Sequence, residues 1–143
     1  MNTIVLASGL ALGAPAPKDK PNPAEGLLGL WELQRTESAK KEQPRQRDGP
    51  LRYRFNKDGT WDVLEGDKPV IGTRPFKFDP KASPATLDLG AGKDGREMAQ
   101  GIYKIEGDKL TICKTPPTKG RPTEFATPAD SVNYLMIFRR VKE

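Results

Sequence analysis

The segment Gly101-Ile102-Tyr103-Lys104-Ile105-Glu106-Gly107-Asp108-Lys109-Leu110-Thr111-Ile112-Cys113-Lys114 reads as two β-strands joined by a tight turn. β-branched and aromatic residues run up to Glu106, Gly107-Asp108 supplies a turn that takes positive φ, and a second β-rich run follows. After it comes a Pro-rich connection containing Arg121-Pro122-Thr123-Glu124-Phe125, and far upstream stands Gly29-Leu30-Trp31. Together these predict a single closed antiparallel sheet.

Working outward, strands are expected at about 29–37, 51–56, 60–66, 70–78, 85–90, 100–106, 109–114 and 132–141. Asn56-Lys57-Asp58-Gly59 makes a second hairpin joint between Leu51–Phe55 and Thr60–Val63. Leu51, Tyr53 and Phe55 alternate with Arg52 and Arg54, the period-2 pattern of a sheet with one wet face. The last strand differs: Tyr134, Met136 and Phe138 alternate with Leu135 and Ile137, so both faces are apolar, and the outer one is expected to meet a loop or partner. An all-β, eight-stranded antiparallel up-and-down barrel removes every sheet edge and suits the dominance of hairpins. A two-sheet sandwich is the alternative. The connection at 38–50 has room for a short helical turn capping one end.

The 143 residues suffice for one domain, and 30% charged against 35% apolar residues excludes a polytopic membrane protein. Gly and Pro, 14 each, punctuate the chain too often for long helices. The net charge of +5 is scattered, which reads as a mildly basic solvated surface. Its densest point is Arg45, Arg47, Arg52 and Arg54, the best candidate for an anionic partner, but no nucleic-acid-binding motif accompanies it, and no specific nucleic acid is expected.

Residues 1–14 carry an apolar run, 3–14, too short to span a bilayer but suited to the core of a signal peptide, although no Lys or Arg precedes it. Export to the periplasm, cell envelope or exterior is the expectation, with no integral membrane segment in the mature chain. No cysteine lies there to carry a lipid anchor. Residues 15–25 read as a Pro- and Lys-rich linker and 26–143 as the barrel domain. Cys113 is the sole cysteine, so an intramolecular disulfide is excluded, and its apolar strand context favours a buried hydrophobe.

Several stretches, taken in order, carry a family resemblance: Leu28-Gly29-Leu30-Trp31-Glu32-Leu33; Phe76-Lys77-Phe78-Asp79-Pro80 with Ala85-Thr86-Leu87-Asp88-Leu89; Gly101-Ile102-Tyr103; Leu110-Thr111-Ile112-Cys113; Arg121-Pro122-Thr123-Glu124-Phe125; and Phe138-Arg139-Arg140. Over roughly residues 24–142 the chain resembles a lipocalin-like domain of unknown function that is expanded in planctomycete bacteria, often as a small exported protein. The resemblance implies a fold and an address, and no activity. It also implies that Gly29 and Trp31 open the first strand as in lipocalins, with the indole plugging one barrel end under an arginine of the last strand, Arg139 or Arg140. Strand parity alone leaves that choice open.

Tyr53, Phe55, Trp61, Phe76, Phe78 and Tyr103 are candidates to line a cavity for a small apolar or amphiphilic ligand; the competing reading has them fill the core. Arg121, Glu124 and Phe125 read as a loop latch, with Pro122 stiffening it and Phe125 anchoring it. Catalysis finds little support. There is no histidine, Cys113 lacks a partner base, and Ser38, Ser83 and Ser131 lack a nucleophile elbow. The grouping of Asp58, Asp62 and Asp67 lacks the spacing of a calcium loop. A carboxylate pair such as Asp88 and Glu124 is the remaining hydrolytic option. The expectation is therefore an exported, non-catalytic binding module with no cofactor and no metal. A filled-core interaction domain with an anionic partner is the alternative, and the sequence leaves the oligomeric state open.

Overall fold

The computed structural model describes residues 26–40, 49–91 and 96–143. The apolar segment 3–14, the linker 15–25, Arg45, Arg47 and most of the 38–50 connection, where a helical turn was expected, lie outside the described residues.

Eight strands follow in order: β1 (Gly29–Ser38), β2 (Leu51–Phe55), β3 (Thr60–Glu65), β4 (Lys68–Asp79), β5 (Ala85–Ala91), β6 (Glu97–Glu106), β7 (Lys109–Thr115) and β8 (Tyr134–Arg140). Each pairs antiparallel with the next, and β8 returns to β1, so the sheet closes into an up-and-down barrel and the sandwich is excluded. The hairpin joints form where the turn residues stand. Gly59 and Gly107 take positive φ (85° and 64°), and Asp58 accepts a hydrogen bond from the Thr60 amide at 3.1 Å. Three strand starts differ from the sequence reading: β4 begins at Lys68, β6 at Glu97 and β8 at Tyr134. In β4 the reason is physical. Its residues Lys68–Thr73 are all exposed, so no alternation betrays them, and two register shifts against β3 let them pair nonetheless.

Even-numbered connections turn at the end where β1 begins and odd-numbered ones at the other, which gives the barrel a plugged end and a mouth. The plugged half is packed with Leu27, Trp31, Phe55, Phe76, Leu87, Tyr103, Leu110 and Phe138, all nearly or wholly buried. Rings meet edge-on between Phe55 and Phe76 (5.1 Å between centres) and tilted between Tyr53 and Phe138 (4.9 Å). Burying each such side chain contributes about 1.5–3 kcal/mol.

A second, smaller apolar cluster lies on the outside. Ile102, Cys113 and Leu135 present their side chains from β6, β7 and β8, and Phe125 from the β7–β8 connection covers them. At Leu135 the outer face of β8 therefore meets a loop of its own chain, which accounts for the apolar residue there.

Candidate functional site

At the plugged end, Trp31 is wholly buried and donates from Nε1 to the Leu27 carbonyl at 2.9 Å. Trp31 pairs in register with Arg140 on β8, which brings both side chains to the same face of the sheet. The Arg140 guanidinium stands 4.0 Å from the indole centre, a cation–π contact, and donates to the carbonyls of Leu28 (3.1 Å) and Gly26. Burial lowers the Arg140 guanidinium from its ordinary value, and the Asp108 carboxylate opposes that. Arg139 faces the other way, in register with Glu32. Gly29 has φ of +117°, and a Cβ there would come within 3.1 Å of Arg140 Nη1. The glycine thus serves both a backbone conformation that other residues resist and the passage of the guanidinium.

At the mouth the interior is different. Inward positions that hold Leu87 and Tyr103 in the plugged half are occupied by Ala91 and Ala99 farther along β5 and β6. The small side chains leave a hollow of about 590 Å³ walled by Leu51, Tyr53, Trp61, Val63, Leu89 and Ala99, with Val70 and Ile71 at its rim. A second hollow of about 450 Å³ shares Ala91, Ala99 and Lys114 with the first and extends between Ser38 and Lys40 on one side and Val132 to Tyr134 on the other. Volumes of this order suit small-molecule sites. Lys114 sits where the two meet. It follows Leu110 and Ile112 on the inward face of β7, and its Nζ lies 3.5 Å from Tyr53 Oη and 5.8 Å from the centre of that ring. Glu65 and Arg74 also line the first hollow and Lys40 the second.

Of the six aromatic candidates, Tyr53, Phe55, Trp61, Phe76 and Tyr103 are buried in one core cluster, with Phe78 packed against it. Tyr53 and Trp61 also line the hollow from that core, Trp61 standing opposite Phe55 in the β2–β3 pair, and Phe78 stacks on Phe76 at 5.6 Å. Burial, with the Asp79 carboxylate adding to it, pushes the Tyr103 phenol up to about 12. Trp61 Nε1 is buried and has no hydrogen-bond partner among the described residues.

The Arg121–Phe125 segment lies outside the barrel, away from both hollows. Arg121 Nη1 donates to the Gly101 carbonyl at 2.7 Å and forms an ion pair of the same length with Asp88 Oδ1, a close approach without the alignment of a hydrogen bond. Phe125 packs on the outer cluster under Lys104, whose Nζ is 4.8 Å above its ring, and Glu124 is exposed. Asp88, the other half of the hydrolytic option, is thus held by a guanidinium. Burial raises the Cys113 thiol, opposed by its contact with the Ala126 carbonyl. Of the basic cluster, Arg52 is paired with Glu32 (3.0 Å) and Asp67 (3.3 Å), and Arg54 with Glu143 (3.1 Å).

Lys114, Ala91 and Ala99 were not singled out from sequence. The signal was there in parity: Lys114 shares its face with Ile112, and Ala99 with Tyr103.

A closed eight-stranded antiparallel barrel, plugged at one end and hollow toward the other, is consistent with a lipocalin-like fold. Comparison with protein-family models, curated proteins and solved structures gives no match to this chain.

Proposed function

We propose that the chain is a non-catalytic binding module that takes a small apolar or amphiphilic ligand into the mouth half of its barrel. The hollow of about 590 Å³ carries this reading: its wall is mainly apolar and its floor is the packed aromatic core. The plugged half has the opposite character, so the barrel reads as a cup with a solid base. The alternative of a basic interaction surface is weakened by the carboxylates that already hold Arg52 and Arg54. Membership of the lipocalin-like family expanded in planctomycetes and export through the 3–14 segment belong to the same proposal, supported by the ordered motifs and by the apolar run.

Ala99 tests it. It lines both hollows, is almost wholly buried, and faces Leu89 across the β5–β6 pair. Dodecanol added to the full chain is expected to bind one to one by native mass spectrometry and to perturb the fluorescence of Trp61. In Ala99→Leu the added side chain occupies the hollow, and the affinity is expected to fall at least about tenfold, or about 1.4 kcal/mol. Unchanged dodecanol affinity in a folded Ala99→Leu chain would remove the hollow as the site.

A further inference from the structure

We infer that the ligand of this hollow carries a negative charge, and that Lys114 receives it inside the barrel. The inference rests on the binding reading above and adds the chemistry of the ligand's polar end.

Three observations lead there. First, the side chain of Lys114 is directed inward by strand parity, at a level of β7 where the neighbouring inward positions, Ile112 and Leu110, are wholly buried. Lys114 itself is half-buried, so its ammonium reaches past that apolar floor and stays accessible to a guest in the hollows. Second, it stands at the junction of the two hollows, in register with Tyr134 on β8, with its Nζ 3.5 Å from Tyr53 Oη. Third, Lys114 is the charged side chain common to both hollows, and among the described residues its ammonium meets a phenol, Tyr53 Oη, and no carboxylate. A neutral guest would leave that ammonium without a counter-charge. An anionic head answers it, and near low-dielectric walls the attraction is stronger than in water.

The geometry also orients the guest. Tyr53, Trp61, Val63 and Leu89 offer an apolar wall on one side of Lys114. The anionic head sits at Lys114 with Tyr53 Oη beside it as a second polar contact, and the apolar portion lies along that wall. The ligand class is therefore an anionic amphiphile, with a carboxylate as the simplest head.

Three probes of equal chain length separate the outcomes in the full chain at neutral pH and low ionic strength: dodecanoate, dodecanol and dodecyltrimethylammonium, titrated by calorimetry. Dodecanoate is expected to bind about tenfold more tightly than dodecanol, and the cation most weakly. Added salt should narrow the gap. In Lys114→Met the ratio of dodecanoate to dodecanol affinity is expected to fall toward one, while Lys114→Arg should keep most of it. Equal binding of dodecanoate and dodecanol by the unaltered chain would overturn the anionic head and leave the hollow as a binding site. A preference for the carboxylate that survives in Lys114→Met would overturn the role of Lys114. No binding of any probe would remove the binding reading and this inference together. The comparison in the unaltered chain decides the charge question even if Lys114→Met does not fold.

Discussion

At the scale of single residues, Gly29 and Arg140 show how one end of the barrel is sealed. A side chain at position 29 would meet both a φ of +117° and the guanidinium 3.1 Å away. Gly29→Ala is expected to destabilise the fold by about 1–3 kcal/mol, the usual cost of holding a non-glycine residue in such a conformation. A lower urea midpoint with an unchanged slope would be the signature. Tyr103 offers a second prediction. Its phenol is raised from the ordinary 10 to about 12 because burial favours the neutral form. The folded state therefore holds the proton more tightly than the unfolded one, so this contribution to stability is intact below pH 10 and is lost as pH rises toward 12. In ultraviolet titration one tyrosine should ionise late, and Tyr103→Phe should remove that late step. Gly29 and Trp31 were legible as a pair in the sequence, but the choice between Arg139 and Arg140 was not. Leu135 and Ile137 made the outer face of the last strand look as apolar as the inner, so parity carried no weight until the loop covering that face was known.

Among the elements, β8 and the connection before it form the least obvious partnership. Phe125 covers Cys113, whose Sγ lies 3.7 Å from the Ala126 carbonyl, and Arg121 ties the loop to β5 and β6 through Asp88 and the Gly101 carbonyl. Gly101 permits this close stacking of strands: a Cβ there would lie 2.9 Å from the Cys113 carbonyl oxygen and 3.2 Å from that of Leu87. The thiol is thus a reporter of the latch. In the native chain it should react slowly with a disulfide reagent, both because it is buried and because burial raises its pKa. Phe125→Ala is expected to speed that reaction about tenfold or more by making local opening cheaper, with little change in the labelling of unfolded chain. Equal rates in the two folded chains would show that the loop does not shield the outer cluster. The strands themselves were legible almost throughout because alternation and Gly-containing turns agreed. The exceptions were the starts of β4, β6 and β8; at that of β4, Lys68–Thr73 are exposed and no buried face imposes a period.

Over the whole molecule, the division into a filled half and a hollow half is the feature that sequence reading left unsettled. Phe55, Phe76 and Tyr103 pack in the core, and Tyr53 and Trp61, buried in the same cluster, also border the hollow. Emptiness is set by what is missing opposite a side chain, and that depends on register between strands, as where Leu89 faces Ala99. Composition and periodicity within one strand do not contain it. The hollow also predicts a trade between stability and binding. Ala99→Leu, which should weaken dodecanol binding, is expected to leave the melting temperature unchanged or raise it, because the added methyls enter space rather than a close-packed core. A fall of several degrees would mean that the space beside Ala99 is already filled. The plug has a further consequence for how the chain is made. Arg140 reaches back to the Gly26 carbonyl, 114 residues upstream, and β8 is the strand that joins β7 to β1. During synthesis the nascent polypeptide must therefore wait, with the edges of β1 and β7 both unpaired, until its final strand emerges. Interruption anywhere before that strand yields a sheet open on two sides, the kind of species that chaperones hold and proteases clear.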